Sequence, residues 1–215
     1  PYTTLFRSGI HMSELQEQLE AAIWSAHTLF QKGLVSGSTG NISFLHEHRM
    51  YISRSGSCFG RLQPEDFAQV DMQGNILYGK PSKEYPMHLA LYRESGGYKA
   101  VIHTHSFYAT TLSCYSESET HIKNLFAYTP YLFMRTKGNI PCIAYAPPGS
   151  DELFRHFMDK TESKPKILLL KNHGIVVGAE DAYHAFDLVE EMEYSAHIYT
   201  MLKNCPDEDI DFIPH

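Results

Sequence analysis

The feature of this sequence that most constrains its fold is an apolar run that ends in two histidines. Residues 99–106 read Lys-Ala-Val-Ile-His-Thr-His-Ser, and the apolar part of this run predicts a buried strand. Successive side chains of a strand point to opposite faces, so His103 and His105 would lie on the same face. Two imidazoles placed in this way suit a metal ion, and two ordinary polar side chains are the alternative interpretation.

Two further stretches favour the metal interpretation. Residues 81–88 read Pro-Ser-Lys-Glu-Tyr-Pro-Met-His and place the carboxylate of Glu84 upstream of the histidine pair. Residues 167–174 read Ile-Leu-Leu-Leu-Lys-Asn-His-Gly, which predicts a second buried strand ending at His173 and a turn glycine. Three neutral imidazoles with one exchangeable position are typical of a catalytic site for zinc or a similar divalent ion. Glu84 would then move a proton, although an acid in the first turn of a helix can also serve only the helix dipole.

Composition limits the class of protein. A chain of 215 residues suits one domain, and a hydrophobic fraction of 43% is typical of a soluble globular protein. No apolar run approaches the roughly 20 residues that a membrane-spanning helix needs. A net charge of -7 argues against a nucleic-acid partner. The cysteines are scattered and form no Cys-x-x-Cys pair, which predicts reduced thiols in a cytoplasmic protein.

The pattern along the chain predicts an α/β protein with helices on both faces of a central sheet. Residues 1–11 show no periodicity and are interpreted as a vector-derived extension before Met12, so the single domain is expected to span residues 12–215. After residue 114 a looser, irregular region is expected through residues 128–135. Helices are predicted over residues 14–32, 83–94 with Ser82 as N-cap, 107–114, the segment after 150, and 180–203; the later strands are predicted at residues 140–145, 166–171 and 175–177.

Two loops rich in small residues indicate the kind of substrate. Residues 36–43 and 50–57 each join such a loop to a strand, and their free backbone amides can cradle a phosphate. Hairpin turns that merely need glycine are the alternative. Together with a metal site, the loops suggest chemistry on a small phosphorylated carbonyl compound. The metal would act as a Lewis acid while negative charge develops as an enediolate, and a carboxylate would move the proton.

Five short motifs occur in one order: residues 39–43 (Thr-Gly-Asn-Ile-Ser), 55–56, 81–84, 103–105 and 172–174. With these motifs the chain, from about residue 15 to 199, resembles the class II aldolase/adducin family. The resemblance implies a three-layer α/β/α sandwich with a nine-stranded, mainly antiparallel sheet, and a homotetramer with active sites between subunits. It implies that zinc is bound by His103, His105 and His173, and that Glu84 is the acid/base and can also ligate the metal. It further implies that the substrate phosphate is surrounded by Gly40, Asn41, Ser55, Gly56 and Ser82.

Within this family, residues 55–60, 82–84 and 129–135 resemble the branch of 3-oxo-tetronate 4-phosphate decarboxylases. That branch removes carbon dioxide from a phosphorylated β-keto acid and forms dihydroxyacetone phosphate. Lys83 and Arg135 would then bind the substrate carboxylate, with a solvated surface role as the alternative for each. Tyr131 aligns with a tyrosine that the aldolases use as an acid from the neighbouring subunit, and core packing is its alternative.

Rival functions share the same motifs. A sugar-phosphate aldolase or epimerase of the fuculose or ribulose phosphate type would break a different bond, and a methylthioribulose-phosphate-type dehydratase would eliminate water. An adducin-like scaffold is the non-catalytic alternative, but it has no reason to keep three histidines and Glu84. Manganese is the alternative to zinc. His88 is expected to be a satisfied polar residue, with support of Glu84 as the alternative role.

Overall fold

The computed structural model describes residues 12–214, so the expected extension over residues 1–11 lies outside the described residues. Helix α1 spans Glu14–Gln31, as its apolar periodicity predicted to within one residue. It begins with a reciprocal cap, in which the side chains of Ser13 and Gln16 each accept the backbone N–H of the other residue. Gly33, at φ +75°, follows its end.

Eight strands form one sheet in the order β4-β3-β2-β1-β5-β8-β7-β6. The sheet is mixed, since β6 and β7 are parallel and the other neighbours are antiparallel. The family resemblance implied nine strands in a mainly antiparallel sheet, whereas the described residues contain eight strands in a mixed sheet. The strands are β1 Asn41–His46, β2 Arg49–Ser53, β3 Phe67–Asp71, β4 Ile76–Tyr78, β5 Ala100–Thr104, β6 Cys142–Ile143, β7 Ile167–Leu170 and β8 Gly174–Ala179.

Six further α-helices follow α1, and three of them differ from the prediction. Helix α2 begins at Tyr85 rather than residue 83, so Ser82 is not its N-cap. A start at residue 83 would put Pro86 where its missing N–H is needed for the first helical hydrogen bond, whereas a start at Tyr85 puts it in the tolerated first turn. The helices are α2 Tyr85–Ser95, α3 Phe107–Ser113, α4 Ser118–Leu125, α5 Tyr131–Thr136, α6 Asp151–Met158 and α7 Ala182–Leu202.

Helices α4 and α5 both lie within the segment that was expected to be irregular, and α5 shows why. Its buried residues Leu132 and Thr136 are four positions apart and therefore share one helical face. The helix is stabilised by this contact with the core. A stretch of six residues is too short for its periodicity to predict such a contact.

The strands β5, β7 and β8 are buried on both sides, whereas β4 is exposed. In β5, Ala100 and Ile102 belong to one hydrophobic cluster and Val101 to a second cluster. Helices α1, α3 and α7 contribute buried residues to the first cluster, and α2 and α6 contribute to the second. No helix within residues 12–214 is long and apolar enough to cross a membrane. The four cysteines are all free thiols.

Candidate active site and metal centre

The three predicted histidines converge at one edge of the sheet. His103 lies in β5, His105 follows its last residue, and His173 directly precedes β8. These two strands pair antiparallel, with Thr104 opposite Ile175, so the end of one and the start of the other meet. Nε2 of His103 is 3.1 Å from Nε2 of His105 and 3.2 Å from Nε2 of His173. The predicted convergence is confirmed, although β5 ends at Thr104 and His105 lies just beyond it.

A glycine allows this close approach. Gly174 is the first residue of β8, and a Cβ at this position would clash with the backbone oxygen of Thr104. Its φ of +158° also lies in a region that L side chains rarely adopt. Sterics therefore explain why glycine follows His173, because only glycine lets His173 approach the end of β5 so closely.

The donor set fits a divalent metal ion. Nδ1 of His103 lies 2.8 Å from the carbonyl oxygen of Ile175, so this nitrogen carries a proton and leaves Nε2 to bind a metal ion, which would displace any proton there. A tetrahedral ion about 2.0–2.1 Å from each nitrogen would hold the nitrogens roughly 3.3 Å apart, close to the distances found here. Burial of its ring, together with the charge of His103, lowers the pKa of His105 to about 3, so this imidazole is neutral at pH 7. Imidazole nitrogens suit zinc and several other transition metals.

Glu84 adds a carboxylate to the histidines. It lies immediately before α2 and is 6% exposed. Its Oε2 atom is 3.0 Å from Nε2 of His103, and its Oε1 atom is 3.5 Å from Nε2 of His173. Burial alone would raise the pKa of Glu84, but the charge of His103 and the hydrogen bonds from both histidines hold it well below its usual range. The carboxylate is therefore ionised and adjacent to the three nitrogen ligands.

The site opens into a cavity of about 430 Å³. The cavity lies among the ends of the two small-residue loops, the segment before α2 and the histidine cluster. A ligand in it would meet backbone amides, hydroxyl groups and two cationic side chains. The lining includes Lys83, one of the two cations expected at the substrate carboxylate, and the five residues expected around the phosphate, namely Gly40, Asn41, Ser55, Gly56 and Ser82.

Among the cavity residues that the sequence analysis did not assign to the site are Arg54 and Asn172. Arg54, directly after β2, lines it with a half-exposed side chain whose Nη2 atom is 3.8 Å from Oδ1 of Asp66. Asn172 lines it in a left-handed backbone conformation with φ +55°. Asn172 belongs to a motif that had been noted only for its histidine. Arg54 could have been noticed as the one basic residue within the loop of residues 50–57.

Two predicted residues lie outside the cavity of this chain. Tyr131 and Arg135 are both on α5 and exposed, and neither lines the cavity. The side chain of Tyr131 is 57% exposed, so it does not serve core packing within the single chain. Its expected role requires a neighbouring subunit and stays a prediction.

The fold and the site together define the class: a protein of the class II aldolase type, with a histidine cluster and a carboxylate at one edge of an α/β sheet. The chain belongs to the family described as Class II Aldolase and Adducin N-terminal domain, whose model matches residues 20–200.

Comparison with individual proteins narrows the range of chemistry. The chain is 36% identical to a 3-oxo-tetronate 4-phosphate decarboxylase from Haemophilus influenzae, over 86% of this chain and 88% of that protein. It is 35% identical to an L-fuculose phosphate aldolase from Methanococcus maripaludis, over 83% of this chain and 93% of that protein. The crystal structure of YgbL from Klebsiella pneumoniae superposes with a TM-score of 0.84 at 31% identity, covering 95% of this chain and 96% of that one. These relatives indicate lyase chemistry of the class II aldolase type.

Proposed function

We propose that this protein is a metal-dependent carboxy-lyase that converts 3-oxo-tetronate 4-phosphate to dihydroxyacetone phosphate and carbon dioxide. The observation that carries the proposal is the composition of the cavity, which combines the histidine cluster and Glu84 with the cations Lys83 and Arg54. A substrate with both a carboxylate and a phosphate needs positive charge, which the chain as a whole, at net charge -7, does not supply. Decarboxylase relatives at 36–38% identity support this substrate class.

The metal would be held by His103, His105 and His173. Zinc is the proposed ion, with manganese as the alternative. When bound, a divalent ion supplies Lewis acidity that stabilises negative charge developing on the ketone oxygen of the substrate.

The loops next to the metal site would bind the phosphate. Backbone amides around Gly40 and Gly56 and the side chains of Asn41, Ser55 and Ser82 supply hydrogen-bond donors to a phosphate oxygen. Arg54 adds a guanidinium group, which matches the geometry of phosphate oxygens.

Lys83 and Glu84 are then assigned to the reacting end of the substrate. Lys83 would pair with the carboxylate and orient it before the carbon–carbon bond breaks. The carboxyl carbon leaves as carbon dioxide, and the bonding electrons stay on the carbon beside the ketone. Glu84, which is ionised at rest, would take a proton from a water molecule in the cavity and transfer it to that carbon, which gives dihydroxyacetone phosphate.

We propose a homotetramer in which a neighbouring subunit completes each site. Phe133 and Met134 on α5 are 48% and 60% exposed, and apolar side chains in such a cluster suit a subunit contact. Tyr131 lies on the same helix and would enter the neighbouring site as an acid, and Arg135 would enter it as an anion-binding residue. The enzyme would act in the cytoplasm on a small-molecule substrate, without nucleic acid or membrane.

A class II sugar-phosphate aldolase or epimerase is the second candidate. The L-fuculose phosphate aldolases are 35–36% identical to this chain, nearly as similar as the decarboxylases. The same metal site and proton carrier would serve aldol cleavage, with a different bond broken next to the ketone. The non-catalytic scaffold is disfavoured because the ionised Glu84 lies buried beside three convergent imidazoles.

The discriminating experiment uses the zinc-loaded enzyme with three substrates: 3-oxo-tetronate 4-phosphate, L-fuculose 1-phosphate and L-ribulose 5-phosphate. Carbon dioxide and dihydroxyacetone phosphate in equal amounts from the first substrate, without aldehyde from the others, is the expected result. Aldehyde release from a sugar phosphate with no carbon dioxide from the acid would establish the aldolase instead. Loss of activity on chelation and recovery with zinc are expected in either case.

A further inference from the structure

A buried chain of polar side chains connects the interior of the protein to Glu84. His88 is fully buried on α2, one helical turn after Glu84. Its Nε2 atom lies 2.5 Å from Oδ1 of Asn41, and its Nδ1 atom lies 2.7 Å from Oγ of Ser43. The same Ser43 oxygen lies 2.7 Å from the hydroxyl of the buried Tyr92, and Nδ2 of Asn41 donates to Oε2 of Glu84 at 3.4 Å.

The chemistry of these groups gives the hydrogen bonds a single direction. The ionised Glu84 can only accept, so the amide nitrogen of Asn41 must face it and the amide oxygen must face His88. Nε2 of His88 must then carry the proton, and Nδ1 must accept from the hydroxyl of Ser43. The oxygen of Ser43 in turn accepts from Tyr92. Each group has one role that satisfies all of its neighbours.

We propose that His88 is a positioning residue for Glu84, because its Nε2–H holds the amide of Asn41 in the orientation that donates to Oε2 of the carboxylate. This inference rests on the proposed role of Glu84 as the proton carrier. Without His88, the amide of Asn41 can turn over and present its oxygen to the carboxylate, which repels it. His88 touches no reacting group itself, and its whole effect passes through Asn41.

A double-mutant cycle tests this route. We expect His88→Leu to lower kcat about 10-fold, the lower end of the effect of removing a partner of a site residue, while KM and zinc content stay within about 2-fold. In the Asn41→Ala background the same His88→Leu change should lower kcat by less than about 2-fold, because Asn41, through which His88 acts, is absent. An equal loss in both backgrounds would show that His88 only stabilises the fold and would overturn the proposal.

Two further variants control for simple loss of a histidine. Glutamine has one donor and one acceptor at comparable reach, so His88→Gln should recover most of the activity lost in His88→Leu. The matched control is His27→Leu on α1, which removes the hydrogen bond between His27 and the carbonyl of Leu62 away from the cavity. It should leave kcat unchanged. Failure of the glutamine variant to recover more activity than leucine would count against the proposal.

A measurement on the full chain needs no activity at all. Nitrogen-15 NMR of the zinc-loaded enzyme, with the His88 signals assigned by their loss in His88→Gln, should show the tautomer protonated at Nε2. The tautomer protonated at Nδ1 would refute the direction of the chain, even if His88→Leu does not fold. Because this readout involves no substrate, it separates an error about His88 from an error about the reaction.

Discussion

A Cβ atom on Gly40 would lie 2.8 Å from the backbone oxygen of His103, a separation that real side chains do not show. Gly40 directly precedes β1, whose first residue, Asn41, pairs with His103 of β5. Its φ of +77° lies in the left-handed region. Gly40 therefore has a steric role at the strand that carries His103, and this role is independent of the proposed phosphate contact.

Gly40→Ala should destabilise the protein through both backbone strain and this clash. Gly96→Ala is the matched control, since Gly96 has φ +70° and open space where a Cβ atom would lie. Strain alone should cost the control about 1 kcal/mol, and the clash should bring the cost at Gly40 to roughly 2–3 kcal/mol. Denaturant unfolding of both variants measures the difference. Equal free energies of unfolding for the two variants would mean that the backbone near His103 shifts to accommodate the added Cβ atom without loss of stability.

Glu84→Gln should abolish turnover and leave metal binding intact. Glutamine keeps the size of the buried side chain but cannot carry the proton, so kcat should fall by about 100-fold or more. Metal content, measured by atomic emission, should stay near one ion per subunit because the three imidazoles are unchanged. Wild-type turnover in this variant would remove Glu84 from the mechanism.

His173→Ala should weaken metal binding. It removes one of three converging nitrogens, so the dissociation constant should rise by more than the roughly 10–100-fold typical of losing a supporting partner. His156→Ala is the control, because His156 contacts the carbonyl of Ala144 and does not line the cavity. Competition with a chromogenic chelator gives both affinities. Similar affinities for the two variants would show that His173 is not a ligand.

Lys83→Ser should impair the acid substrate selectively. Loss of a charged hydrogen bond to the substrate carboxylate should lower kcat/KM for 3-oxo-tetronate 4-phosphate by about 10–100-fold. Binding of dihydroxyacetone phosphate, which lacks a carboxylate, should change by less than about 2-fold on the same argument. Arg54→Ser, by contrast, should weaken both ligands because Arg54 is assigned to the phosphate. If Lys83→Ser weakened both ligands equally, the lysine would not distinguish the carboxylate.

Glu193→Ala should destabilise the protein through the helix that follows His105. The buried Glu193 of α7 accepts the backbone N–H groups of Tyr108 and Ala109, at 3.2 and 2.8 Å, and so caps α3. Loss of this cap should lower the free energy of unfolding by about 1–2 kcal/mol. Glu190→Ala, one helical turn earlier, removes only a surface ion pair with Lys32 and should cost less than about 1 kcal/mol. Comparable thermal shifts in the two variants would contradict the capping role.

The sequence predicted the arrangement of the histidine pair and of α1 because both depend on local regularities. The alternation of side chains placed His103 and His105 on one side, and the apolar spacing of α1 defined its buried face. The position of Arg54 in the cavity depends on how β2 pairs within the sheet, which no local pattern contains. The predicted start of α2 was wrong because Pro86 is tolerated only in the first turn, and this restriction outweighed the preference of Ser82 for an N-cap position.

The adjacency of β5 and β8 has a consequence for assembly of the molecule. His103 and His173 come from opposite ends of a long intervening segment, so a denatured chain offers no preformed cage for an ion. A metal ion would then bind only the folded protein, and its binding free energy would add to the free energy of unfolding. An ion bound there would therefore cross-link the ends of β5 and β8 in addition to its part in the reaction.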